Sequence, residues 1–297
     1  MKYTNKHNFP DFVVKWLEYD TYDYDENAIS ATTLMQPARA YALKKQNWED
    51  LEVDVSDMIA SRYGTAIHDS VEKVHLPGCK QEERLRKAVK NRIITGKYDI
   101  LKQIAADQWQ LIDVKSTSVW TYIYGSKDED FKKQLSIYRW LAVQNGYNTI
   151  QKAKIWMIFT DWSATKAQNT EGYPKTRLVI KDIELMGDDQ TLSYIGRRID
   201  ALNKAALQEQ KDMPMCTDEE LWAQDDVWQV MKEGRKTSMK NCSSEEEAEE
   251  WIGSKQDKTG ISTHLRKGGV KRCKYCTARK FCTQYQELIK EGRSEQY

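Results

Sequence analysis

No apolar run in the sequence approaches the ~20 residues a membrane-spanning helix needs, and no internal repeat or low-complexity linker interrupts its 297 residues. The first twenty residues, MKYTNKHNFPDFVVKWLEYD, hold neither an uninterrupted apolar stretch nor a small-residue cleavage site, so no signal peptide is expected. An overall charge bias is missing too: 46 Lys and Arg face 45 Asp and Glu, a formal net charge of +1. No membrane association is expected, and the cytoplasm is the expected location. What is present is a supply of large side chains, ten Trp and sixteen Tyr within 40% hydrophobic residues, which excludes intrinsic disorder. The length suits one large domain or two ordinary ones.

The balanced total hides segregation. Residues 1–60 sum to −5, 61–115 to +4, 116–180 to +4, 181–250 to −9 and 251–297 to +7. A basic middle and a basic tail suit a phosphate-binding surface, or charges spread over solvated faces. The acidic run Glu245–Glu250 reads as an exposed helix start with Ser243 or Ser244 as N-cap.

Ser30 precedes ATTLMQPARAYALKK, a short helix interrupted or started by Pro37. SDMIASRYGTAIHDSVEKVHL predicts a longer helix with Ile67, Val71 and Val74 as a buried stripe, ended by Pro77-Gly78. GKYDILKQIAADQWQLIDVKST predicts two strands with a turn near Ala106-Asp107. A helix over 130–145 closed by Gly146, strands in KIWMIFTDW and RLVIKDIEL, and a helix in DDQTLSYIGRRIDALNKAALQ follow. That order predicts a mixed sheet flanked by helices. From about residue 212 no alternation is evident. The expected division is a core over 1–211, including an N-terminal helical segment, and an extension over 212–297.

Asp113 and Lys115, two apart in a strand, point to one side of the sheet, and Asp99 lies in the hairpin partner. Two hard carboxylates suit Mg²⁺ or Mn²⁺. A lysine beside a cation and a phosphate can orient a water or neutralise transition-state charge. Strand acids paired with Lys97, Lys102 or Lys115 are the structural alternative. Upstream, His68 and Glu72 share a helix face; downstream, Gln134 and Tyr138 share another.

In this order the motifs GTAIH with Glu72, GKYDIL, LIDVKST and QLSIY resemble the RecB-type branch of the PD-(D/E)XK nucleases, over roughly residues 30–145. The resemblance implies that His68, Asp99 and Asp113 bind a divalent metal, with the Val114 carbonyl as a further ligand. It implies that Lys115 positions or activates the attacking water, that Glu72 orients His68 or a metal-bound water, and that Gln134 and Tyr138 contact DNA or brace the lysine. The products would carry a 5′-phosphate and a 3′-hydroxyl.

Of six cysteines, three lie in KRCKYCTARKFC: Cys273, Cys276 and Cys282. In a reducing compartment such a cluster reads as metal-binding. Zinc usually shows two separated pairs; a pair, one near cysteine and one remote cysteine suit an iron–sulfur cluster better. The tail resembles those of iron–sulfur nucleases of the same branch, the CRISPR-adaptation nuclease and helicase–nuclease subunits among them, where a 4Fe–4S cluster staples the chain end to the core. Their first cysteine commonly precedes a proline in the N-terminal helix, where this chain has Gln36 before Pro37. The fourth ligand is therefore expected at Cys216, with Cys79 and then Cys242 as alternatives. The tryptophan-rich segment EELWAQDDVWQVMKEGRKTS resembles phage-encoded relatives, which would place the protein in a host cytoplasm.

Trp109 reads as a packing residue. SVWTYIYGSKDED reads as a loop after the lysine strand, with Trp120 and Tyr122 as DNA contacts or packing.

The expected fold is thus α/β, a restriction-endonuclease-like mixed central sheet flanked by helices, with a C-terminal iron–sulfur extension. The resemblance implies a divalent-metal-dependent DNA exonuclease acting on single strands or frayed duplex ends in recombination, repair or phage DNA processing. A recombination, replication or CRISPR-adaptation protein would be its partner. A non-catalytic nucleic-acid-binding protein with a zinc site and a CRISPR-adaptation-type endonuclease stay open as alternatives.

Overall fold

Leu111, Ile112, Asp113 and Val114 are consecutive and all buried. A strand buried on both faces belongs at the centre of a sheet, and Gln108–Thr117 is the middle of five. It pairs antiparallel with Ile100–Ala105, across a turn where Asp107 takes φ 55°, and parallel with Thr149–Phe159. Leu178–Ile183 and Cys79–Gln81 complete the edges, both antiparallel to their neighbours. The parallel pair requires a crossover, supplied by the helix Asp128–Gln144, which buries Leu135, Ile137 and Leu141. Gly146 (φ 97°) follows its end. The structure is therefore mixed α/β, with sheets flanked by helices.

The computed structural model describes residues 1–20, 25 and 27–296. They form two units: Met1–Gln36 with Glu52–Lys204, and Pro37–Leu51 with Ala205–Tyr297. Pro37–Leu51, assigned by the sequence to the core over 1–211, thus clusters with the C-terminal residues.

In the first unit, the helix Ile59–Glu72 seats Ile67 and Val71 against Ile100, Ile112 and Val114. Ile67 and Val71 are partly buried, so each contributes a share of the ~1.5–3 kcal/mol that full burial of such a side chain gives. The expected stripe is shorter than predicted: the helix stops at Glu72, and Val74 is exposed. A second sheet orders Ala28–Ser30, Arg92–Lys97 and Arg84–Val89. In its middle strand Gly96 lets the Asp128–Gln144 helix approach closely. A Cβ there would lie 2.8 Å from a Tyr138 ring carbon and 2.9 Å from Leu141. Ser30 caps the short helix Ala31–Leu34 through the Thr33 N–H.

In the second unit, Ala38–Gln46 is a helix preceded by Pro37. The region without evident alternation contains a three-stranded antiparallel sheet, with Val227–Lys232 between Lys240–Cys242 and Ile261–Arg266. The helix Glu245–Gly253, capped by Ser244, packs Ala248 on Val230 and Cys242. No helix among the described residues is long and apolar enough to cross a membrane.

Candidate metal centres

Continuing the Ile100–Ile112 register by one residue sets Asp99 opposite Asp113. The Asp99 Oδ2 accepts the Val114 N–H at 2.6 Å, which fastens its carboxylate to the central strand. Asp113 is 2% exposed, and its Oδ2 lies 2.7 Å from Lys115 Nζ. That ammonium is the ion-pair partner of Oδ2, whereas Oδ1 is buried with no hydrogen-bond partner. A buried carboxylate oxygen left without a donor calls for an explanation, and a cation supplies one.

His68 faces this edge of the sheet from its helix. Its Nδ1 stands 3.5 Å from Asp99 Oδ1 and 3.5 Å from Glu82 Oε1. Ligand atoms of His68, Glu82 and Asp99 all lie within 4.8 Å of one another. Glu82 is absent from the sequence-predicted site. It sits just before Arg84–Val89 at φ 53°, a left-handed conformation uncommon outside glycine. Its N–H donates to the Asp99 carbonyl, and Lys97 Nζ binds its second oxygen at 2.7 Å. Glu72, expected to orient His68, stands exposed on the last turn of its helix. The carboxylates beside His68 are Glu82 and Asp99. Asp113 lies outside the three-residue group and faces Lys115 instead.

The electrostatics follow from crowding. Burial, and then the charge of Asp113, push Asp99 up to about 7. The Glu82 hydrogen bond, outweighing burial and helped by Asp99, raises His68 above its ordinary value. Burial works against Glu82, but His68 and Lys97 hold it below the usual carboxylate range. Burial also works against the Lys115 ammonium, yet Asp113 and Asp99 prevail and raise it. A buried aspartate pushed up by a neighbouring carboxylate, oxygen-rich donors and an imidazole fit a Mg²⁺- or Mn²⁺-class ion.

Gln134, expected at DNA, donates its Nε2 to the Tyr138 hydroxyl at 2.9 Å. Burial raises Tyr138 above its ordinary value; Lys115 opposes this and the two carboxylates reinforce it.

The segment predicted as a loop after Thr117 is a helix, Val119–Tyr124. Asp161 fixes its start by accepting from Ser118 Oγ and the Val119 N–H, each at 2.7 Å, and Gly125 closes it at φ 61°. The helical spacing stacks Trp120 on Tyr124, with centroids 5.8 Å apart and an interplanar angle of 17°. Lys166 Nζ lies 5.1 Å from the Trp120 ring. Both aromatics are exposed, Tyr124 by 73%. Tyr122 instead packs on Phe159.

In the second unit, Cys216, Cys273, Cys276 and Cys282 line one cavity with Arg39, Arg272 and Arg279. The Gln284 side chain clasps the Cys216 backbone, accepting its N–H at 2.8 Å and donating to its carbonyl at 2.9 Å. Cys242 is buried in the separate core with Val230, and Cys79 begins an edge strand of the first unit's sheet. Burial pushes Cys216 up to about 12 and Cys273 up to about 11, so a bound metal must displace their protons.

No family model matches the chain, and comparison with curated proteins gives no match. Among solved structures the chain is similar to SSO0001, with 21% identity and a TM-score of 0.44, covering 65% of this chain and 85% of that one. It is also similar to a Eubacterium rectale protein named as a candidate exonuclease (13% identity, TM-score 0.30, 62% and 70% covered). A phage-related exonuclease from Haemophilus somnus 129PT follows (14%, TM-score 0.28, 66% and 77%). All three TM-scores lie below 0.5, and none of these likenesses carries the assignment of a function.

Proposed function

We propose that the protein is a divalent-metal-dependent nuclease of the PD-(D/E)XK type, with a restriction-endonuclease-like core that hydrolyses phosphodiester bonds of DNA from strand ends. The observation that carries this is the group His68, Glu82 and Asp99, whose ligand atoms lie within 4.8 Å of one another, with buried Asp113, paired to Lys115, opposite Asp99 across the hairpin. Asp99, Asp113 and His68 would hold the cation, with Glu82 orienting the imidazole. Bound there, a divalent ion neutralises phosphate oxygens and acidifies water. Lys115 contributes a fixed positive charge beside the phosphate. Asp113, which now holds the Lys115 ammonium at 2.7 Å, would share its charge with a bound cation and free the ammonium for the phosphate. Tyr138, braced by Gln134, buttresses the lysine side of the site.

The stacked Trp120 and Tyr124 favour a single-stranded end. They begin just past the lysine strand, and aromatic rings of this kind hold unpaired bases at about 1–3 kcal/mol each. In the second unit the four cysteines fit a 4Fe–4S cluster, with a structural role.

End-labelled single-stranded, duplex and circular DNA, incubated with Mg²⁺ or Mn²⁺, tests the proposal. Wild type should release 5′-phosphorylated nucleotides from linear strands, and Asp113→Ala and Lys115→Ala should not. Cleavage of the circle would favour an endonuclease. Absence of release, together with zinc in place of iron, would favour a binding protein.

A further inference from the structure

We infer that Arg39 is a positioning residue for the sulfur site, holding Cys282 in place and supplying the buried positive charge against which a bound cluster is balanced. The inference rests on the cluster reading proposed above.

Arg39 is 1% exposed. Its Nε donates to Cys282 Sγ at 3.4 Å. One terminal nitrogen donates to the carbonyls of Gln210 and Met213 at 3.2 and 3.3 Å. The other donates to Gln210 Oε1 at 3.3 Å and Thr283 Oγ1 at 2.7 Å. These contacts use all five guanidinium donors. Gln210 Oε1 also accepts the Thr283 N–H. One side chain therefore ties the residues leading into Cys216 to Cys282 and its neighbour.

None of these acceptors is a carboxylate: they are two carbonyls, an amide, a hydroxyl and a sulfur. Glu220 lines the same cavity, but its carboxylate accepts the Thr217 N–H in a capping box. A fully buried cation calls for an anionic partner. The four thiolates of a filled site, one already at hydrogen-bond distance, are that partner. Net charge and hydrogen bonds to sulfur set the reduction potential of such centres. A cation beside Cys282 favours the reduced, more negative state.

The full chain, purified without oxygen, should be compared with Arg39→Lys and Arg39→Gln by iron and sulfide content, redox titration followed by electron paramagnetic resonance, and the rate of iron loss to a chelator. Arg39→Gln should lower the midpoint potential and release iron about tenfold faster, as loss of an outer partner does at other metal sites. Arg39→Lys, which keeps the charge, should restore much of the potential. Identical potentials and release rates in all three proteins would overturn the inference. If Arg39→Gln does not fold, Gln210→Leu keeps the cation but removes its shared acceptor; faster iron loss supports the role, and an unchanged rate refutes it. Wild type without iron and sulfide removes the cluster reading and this inference with it, whereas wild type with a cluster that ignores Arg39 removes only the latter.

Discussion

Glu82 stands 3.5 Å from the His68 ring nitrogen on a left-handed backbone, whereas Glu72, one helical turn from His68, faces solvent. Glu82→Gln should therefore weaken the apparent Mn²⁺ affinity by about 10–100-fold, the range for groups that orient a metal-binding histidine. Glu72→Gln should leave it unchanged. The Mn²⁺ dependence of nucleotide release measures both; equal effects would return the orienting role to Glu72.

Gly96→Ala should destabilise the fold by about 1–3 kcal/mol, the usual cost of overpacking. The added carbon meets Tyr138 and Leu141 below 3 Å, and the Tyr138 ring is buried. Thermal or denaturant unfolding reads the loss. An unchanged midpoint would mean that the crossover helix moves away without penalty.

Trp120→Ala and Tyr124→Ala should each lose about 1–3 kcal/mol of single-strand affinity, read by fluorescence anisotropy in the presence of a chelator. Duplex binding should change less. Tyr122→Phe, altering a ring packed on Phe159, should bind as wild type does. Uniform losses on single strands and duplex would argue that the aromatics are structural.

Burial and the charge of Asp113 push Asp99 up to about 7 in the folded chain, against about 3.9 for an unfolded aspartate. Between those values the folded state keeps a proton that the unfolded state has lost. The contribution of Asp99 to stability is then intact below about pH 4 and declines as pH rises toward 7. In metal-free protein, wild type should lose stability relative to Asp99→Asn across that window. Mn²⁺ should raise the wild-type melting temperature more at pH 8 than at pH 5, because the ion binds the ionised form. A wild-type and Asn difference independent of pH would contradict the assignment.

The hairpin was legible because Asp113 and Lys115 share the parity of one strand and a short turn fixes its register against Ile100–Ala105. The crossover helix and the parallel strand after it were legible from their length and apolar pattern. Glu82 was not, because it lies in a bend between strands where no periodicity applies, and only the fold carries it to His68. The stacking of Trp120 on Tyr124 was missed because a six-residue helix of aromatic and β-branched residues imitates a loop; their i, i+4 spacing was the available signal. The sheet around Val227–Lys232 escaped for a related reason: one partner has three residues, and a helix separates it from the other. Arg39 carries no local signal at all, since its partners lie 171 to 244 positions away.

Crystals soaked in Mn²⁺ and examined for anomalous scattering test the metal centre directly. A peak should appear between Asp99, Asp113 and the His68 ring and should vanish in Asp113→Ala. Crystals of protein that degrades DNA with Mn²⁺ but shows no peak there, or shows it elsewhere, would contradict the account.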